Sequence, residues 1–175
     1  MKRLVMLSPF LLLMLFSASV YAQQKNSDAP ITVKDDEFTG KRTVELAPQR
    51  ISPTLTMSIT AQTDTRTKGD RFRDLGSSTV RFVSTTGKRE YGRRDNEFNF
   101  MVDGERVRGG PVSSSPLNDD LERDGKELAV GVVRNATLQD IGKGRDVKLK
   151  IGEQIFTLDK AVIQNLAAVF RELAR

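Results

Sequence analysis

Hydrophobic and polar residues alternate along much of this chain, in short separate runs. Thr54 to Gln62 is the cleanest: Leu55, Met57, Ile59 and Ala61 fall on one face, with Thr and Ser on the other. That is the period of a half-buried strand. Arg42 to Leu46 alternates in the same way, as does Thr79 to Ser84, where Val80 and Phe82 share a face. Ile31-Thr32-Val33 opens a strand, and Asp35 to Lys41 is a turn-rich connection. Glu127 to Val133 is nearly all apolar and predicts a buried strand. Two hairpins stand out. Glu97 to Val102 leads through Asp103-Gly104 into Glu105-Arg106-Val107, and Asp-Gly supplies the positive φ values of a two-residue turn. Asp146 to Ile151 turns at Gly152-Glu153 and returns as Gln154 to Leu158.

After Leu158 the period changes. Val162, Ile163, Leu166, Val169, Phe170 and Leu173 recur at three- and four-residue steps, which predicts an amphipathic helix ending near Leu173 with Asp159 as its cap. Ala136 to Ile141 predicts one short helical turn, closed by Gly142 and Gly144. Pro48 and Pro53 mark a loop, Asp64 to Ser77 is polar, and Gly109 to Asp119 has the composition of a Gly/Ser/Pro loop. The expectation is an α+β fold: a mostly antiparallel sheet of six or seven short strands, with one long C-terminal helix packed on one face.

The first residues follow a different logic. Met1-Lys2-Arg3 is positive, Leu4 to Phe16 is almost wholly apolar, and Ser17 to Ala22 is small-residue rich and ends in Val-Tyr-Ala. This is the pattern of a secretory signal peptide cleaved after Ala22. The apolar stretch falls short of the ~20 residues a spanning helix needs. The expected organisation is a signal over 1–22, a polar lead-in over 23–30 and a single domain over 31–175, with no transmembrane segment after cleavage. The expected location is periplasmic or secreted.

Composition narrows the chemistry. Cysteine is absent, which removes lipoprotein anchoring, disulfides and thiolate sites. Histidine is absent too, and with it the side chain best suited to proton transfer near neutral pH and the commonest metal ligand. The signal takes two of the 28 basic residues, leaving 26 against 23 acidic ones and a net charge of +3.

Asp36-Glu37-Phe38-Thr39-Gly40-Lys41-Arg42-Thr43, the Val102-Asp103-Gly104 turn, Leu138 to Gly144, and the spacing of Val147, Ile151-Gly152, Phe156 and Leu158 before the last helix form a pattern. It resembles an uncharacterised family of exported bacterial proteins with a D-x-F-T-G opening. The resemblance implies a fold and a compartment and carries no activity. In that family an aromatic-rich strand lies near the position of Tyr91, where this chain carries Arg89-Glu90-Tyr91-Gly92-Arg93-Arg94.

The residues name no catalytic centre, cofactor or metal. Ser113-Ser114-Ser115 has no His or Cys with which to build a triad. Asp35-Asp36-Glu37 and Asp119-Asp120 are explained by turn chemistry. Asp36 and Asp103 are the acids a carboxylate-based hydrolase would use, and neighbours on extended chain point to opposite sides. Asn135-Ala136-Thr137 has the form of a glycosylation sequon. Lys88, Arg89, Arg93 and Arg94 bracket Tyr91, and Arg71 and Arg73 bracket Phe72; arginine forks suit phosphate and carboxylate. Lys88, Arg89, Tyr91, Arg93 and Arg94 are therefore the candidate anion-contact residues. The expected role is a non-catalytic binding module for an anionic envelope component or a protein partner, with no nucleic acid involved. The alternative is a small apolar-ligand carrier lined by residues such as Leu55, Met57, Phe100, Phe156 and Phe170.

Overall fold

The structure is a computed structural model and describes residues 30–64, 76–88, 90–92, 96–114 and 125–175. The expected signal peptide, and the lead-in up to Ala29, lie outside these residues. Nine strands form the sheet: β1 (Ile31–Asp36), β2 (Lys41–Arg50), β3 (Leu55–Asp64), β4 (Ser77–Ser84), β5 (Glu97–Val102), β6 (Glu105–Ser114), β7 (Glu127–Arg134), β8 (Val147–Ile151) and β9 (Gln154–Thr157). Among the described residues two helices accompany them, α1 (Asn135–Lys143) and α2 (Lys160–Leu173). The order across the sheet is β1-β2-β3-β4-β7-β6-β5-β8-β9, and every pairing is antiparallel. The fold is α+β as expected, with nine strands rather than six or seven.

Two strands run longer than the alternation predicts. β1 is exposed along nearly its whole length, so it exists by its ladder with β2 rather than by burial. β6 was expected to end in a loop at Gly109 and instead continues to Ser114. Its first part pairs with β5, and Val112 to Ser114 pair with β7, so one bent strand joins the two halves of the sheet. The bend falls at Gly109-Gly110-Pro111, beside a register shift opposite Phe98 and Asn99. A Cβ at Gly109 would collide with the Phe98 carbonyl oxygen, and one at Gly131 would lie 2.5 Å from Cε1 of the Phe98 ring. These glycines mark a close backbone approach, which is what Gly inside a strand often signals.

Pro48 was also expected in a loop, yet β2 passes through it. The register with β3 shifts between Leu46 and Gln49, so Pro48 sits at a bulge, where its missing N–H costs no ladder bond. Asp103 (φ 51°) and Gly104 (φ 88°) form the expected turn between β5 and β6.

The buried faces of the strands supply Val44, Met57, Ile59, Val80, Phe82, Phe98, Phe100, Leu149 and Ile151 to one core cluster. Phe98 stands edge-on to Phe82 and to Phe100, with ring centres 5.4 and 5.9 Å apart. Helix α2 buries Val162, Ile163, Leu166, Val169 and Leu173 and packs against β1, β2, β3 and α1. Asp159 occupies its N-cap position without a side-chain cap bond; its carbonyl accepts the Ile163 N–H at 3.1 Å. Helix α1 is longer than the single turn expected and contains Gly142, whose bare backbone lets Ala167 of α2 come close.

Candidate functional site

The basic stretch is anchored by a carboxylate. Alternation along β7 puts Glu127 on the inward face with Ala129, Gly131 and Val133, and the residue is only 3% exposed. A carboxylate in that position needs donors. It has three: Oε2 accepts the Glu90 N–H at 2.8 Å, and Oε1 accepts those of Tyr91 at 2.9 Å and Gly92 at 2.6 Å. Asn96 Nδ2 donates to the Glu90 and Tyr91 carbonyls at 2.8 and 3.0 Å. The partners of Glu127 are backbone amides some 35 residues away, so no side-chain pattern in the sequence points to the pair.

Tyr91 departs from the expectation of a contact aromatic. It is 2% exposed and belongs to the core cluster, and its hydroxyl donates to Gln154 Oε1 at 2.7 Å. Burial, aided by the Glu90 and Glu127 charges, pushes its phenol above the ordinary value. Its ring is a structural wedge, with no face left for a ligand to stack on. Lys88 is exposed. Arg89, Arg93 and Arg94 lie outside the described residues, as do Arg71, Phe72 and Arg73. The described part of this site is therefore its base: a clamped Glu90-Tyr91-Gly92 segment from whose two sides the basic residues leave.

The acidic turns are structural. Asp36 accepts from the Phe38 and Thr39 amides at 2.9 and 3.2 Å and from the Thr39 hydroxyl at 2.7 Å, and the Thr39 hydroxyl above all holds its pKa below the ordinary range. Asp35 takes both Nε and Nη2 of Arg42, at 2.7 and 2.9 Å, which lowers its pKa likewise. Asp103 Oδ1 accepts the Arg145 and Asp146 amides, each at 2.9 Å, with the same effect. Acids held this firmly in the ionised state are poor proton donors near neutral pH. Asp36 and Asp103 also belong to turns at widely separated places in the strand order.

Ser113 and Ser114 lie in β6 rather than in a linker, and Ser115 falls outside the described residues. Asn135 of the sequon is fully buried and accepts the Ser78 hydroxyl, so its amide is out of reach of a glycan. Leu55, Met57 and Phe100 are fully buried in the core cluster, and Phe156 and Phe170 pack against it. Among the described residues no cluster of three or more Asp or Glu is placed to hold a metal ion, and no helix is long and apolar enough to cross a membrane. The chain matches no family model, no curated protein and no solved structure.

Proposed function

We propose that the chain is a non-catalytic exported protein of the bacterial envelope, periplasmic or secreted, that binds an anionic envelope component through the stretch Lys88 to Arg94. Export rests on the signal pattern of residues 1–22 and on the resemblance to exported bacterial proteins. The observation that carries the binding reading is the clamp: three backbone amides of Glu90, Tyr91 and Gly92 held by the buried Glu127 carboxylate. The clamp fixes the backbone of Glu90 to Gly92, which lies between the cations in sequence, so less of the stretch has to be ordered when a ligand binds. Phosphates and acidic glycans are the anions such arginines fit.

The test is co-sedimentation of the purified protein with peptidoglycan across a salt series. Retention at low salt that falls as salt rises is expected, together with its loss when Arg89, Arg93 and Arg94 are changed together to Ala. Retention indifferent to both salt and the triple substitution would remove this reading.

A further inference from the structure

The outward face of β6-β5-β8-β9 carries a second cationic surface, built on residues unconnected with the clamp. Strand register places two rows side by side. One runs Arg108, Asn99, Lys150, Ile155; the other runs Arg106, Met101, Lys148, Thr157. Neighbouring strands lie about 4.8 Å apart, and alternate residues of one strand are about 7 Å apart. The four cations therefore stand at the corners of a rectangle of about 10 by 7 Å, with Asn99 and Met101 between them. Among the described residues, two acids form ion pairs on this face. Glu97 approaches Arg106 at 3.6 Å and Asp146 approaches Lys148 at 3.5 Å, both long and solvent-exposed pairs of the kind that contribute little. Arg108 and Lys150 are exposed and have no acidic partner among the described residues.

One further feature distinguishes this face from an ordinary solvated one. Met101 and Ile155 are exposed on it, at 38% and 59%, beside the cations.

We infer that this face docks on an anionic phospholipid bilayer. A headgroup phosphate lies between Arg108 and Lys150, and Met101 and Ile155 enter the interface. Exposed apolar side chains among cations are the combination that binds bilayer surfaces, apolar burial adding to the attraction of anionic lipid. The inference shares with the proposed function the reading that the protein meets anionic surfaces, but assigns the contact to different residues.

Vesicles of phosphatidylcholine with and without phosphatidylglycerol test it, against the parent protein, the Arg108→Gln/Lys150→Gln double variant and the Arg89/Arg93/Arg94 triple Ala variant. Both Gln positions are exposed, and circular dichroism confirms that the variant is folded. The expected result is binding that requires phosphatidylglycerol, is weakened about 25-fold in the double variant, about fivefold per lost cation, and is kept by the triple variant. Met101→Ser/Ile155→Ser is expected to abolish the part of the binding that survives high salt. Loss in the triple variant alone overturns this inference and leaves the proposed function standing. Absence of any phosphatidylglycerol-dependent binding overturns the bilayer assignment. Retention on soluble polyphosphate with none on vesicles does so as well.

Discussion

At the scale of single residues, the chain uses carboxylates as acceptors for its own backbone. Glu127 is the costliest case: it is buried, and each amide it satisfies would be worth about 1–3 kcal/mol if left without a partner. Asp103 does the same on the surface. It sits at positive φ, which Asp tolerates better than most residues, and its Oδ1 ties the β5–β6 turn to Arg145 and Asp146. The Asp146 and Arg145 amides lower its pKa from 3.8, so the folded state favours the charged form. The stabilisation is therefore present above about pH 4 and is lost as pH falls through the lowered value. Asp103→Asn keeps the acceptor and the tolerance of positive φ while removing the charge. Below about pH 4 the parent is expected to lose stability more steeply than the variant, so that the two converge in acid, measured by urea unfolding at a series of pH values. Parallel pH profiles would show that the charge contributes nothing there.

At the scale of elements, what was legible depended on which signal a residue sends. The Asp103-Gly104 and Gly152-Glu153 hairpins and the helix of Val162 to Leu173 were readable because turn residues and apolar period agree. Gly109-Gly110-Pro111 was not. In a sequence those residues signal a loop, and here they let β6 bend past Phe98 and continue beside β7. Pro48 misleads in the same way at the bulge of β2. The arginines around Tyr91 say nothing about where its own ring points, and the ring lies in the core while Glu127 holds its backbone amide. The β6 bend makes a sharp prediction. At Gly109 a methyl group meets the Phe98 backbone as well as its ring, and backbone cannot swing away as a flexible side chain can. Gly109→Ala is expected to destabilise by about 2 kcal/mol, read from the midpoint of chemical denaturation. A change within about 0.5 kcal/mol, the range of an ordinary surface substitution, would mean that the bend has room to spare.

At the scale of the molecule, the two ends of the described chain are packed together. Helix α2, last in sequence, lies on β1, β2 and β3, which come first. Arg42 Nη1 donates to the Glu172 carbonyl at 3.2 Å, and Asn165 Nδ2 donates to Gln49 Oε1 at 2.8 Å, contacts that span 130 and 116 residues. The β4–β7 ladder is likewise long-range, joining Ser77–Ser84 to Glu127–Arg134. The first four strands pair locally as a meander, but the helix packed on them is complete only when the whole chain is present. Leu166, fully buried in α2, is the residue on which to test whether those strands depend on the helix. Leu166→Ala is expected to cost about 3 kcal/mol, and hydrogen exchange should quicken in β2 and β3 as much as in α2 itself. Should the helix lose protection while β2 and β3 keep theirs, the first strands would be stable without it, and the dependence would lie in the β4–β7 ladder alone.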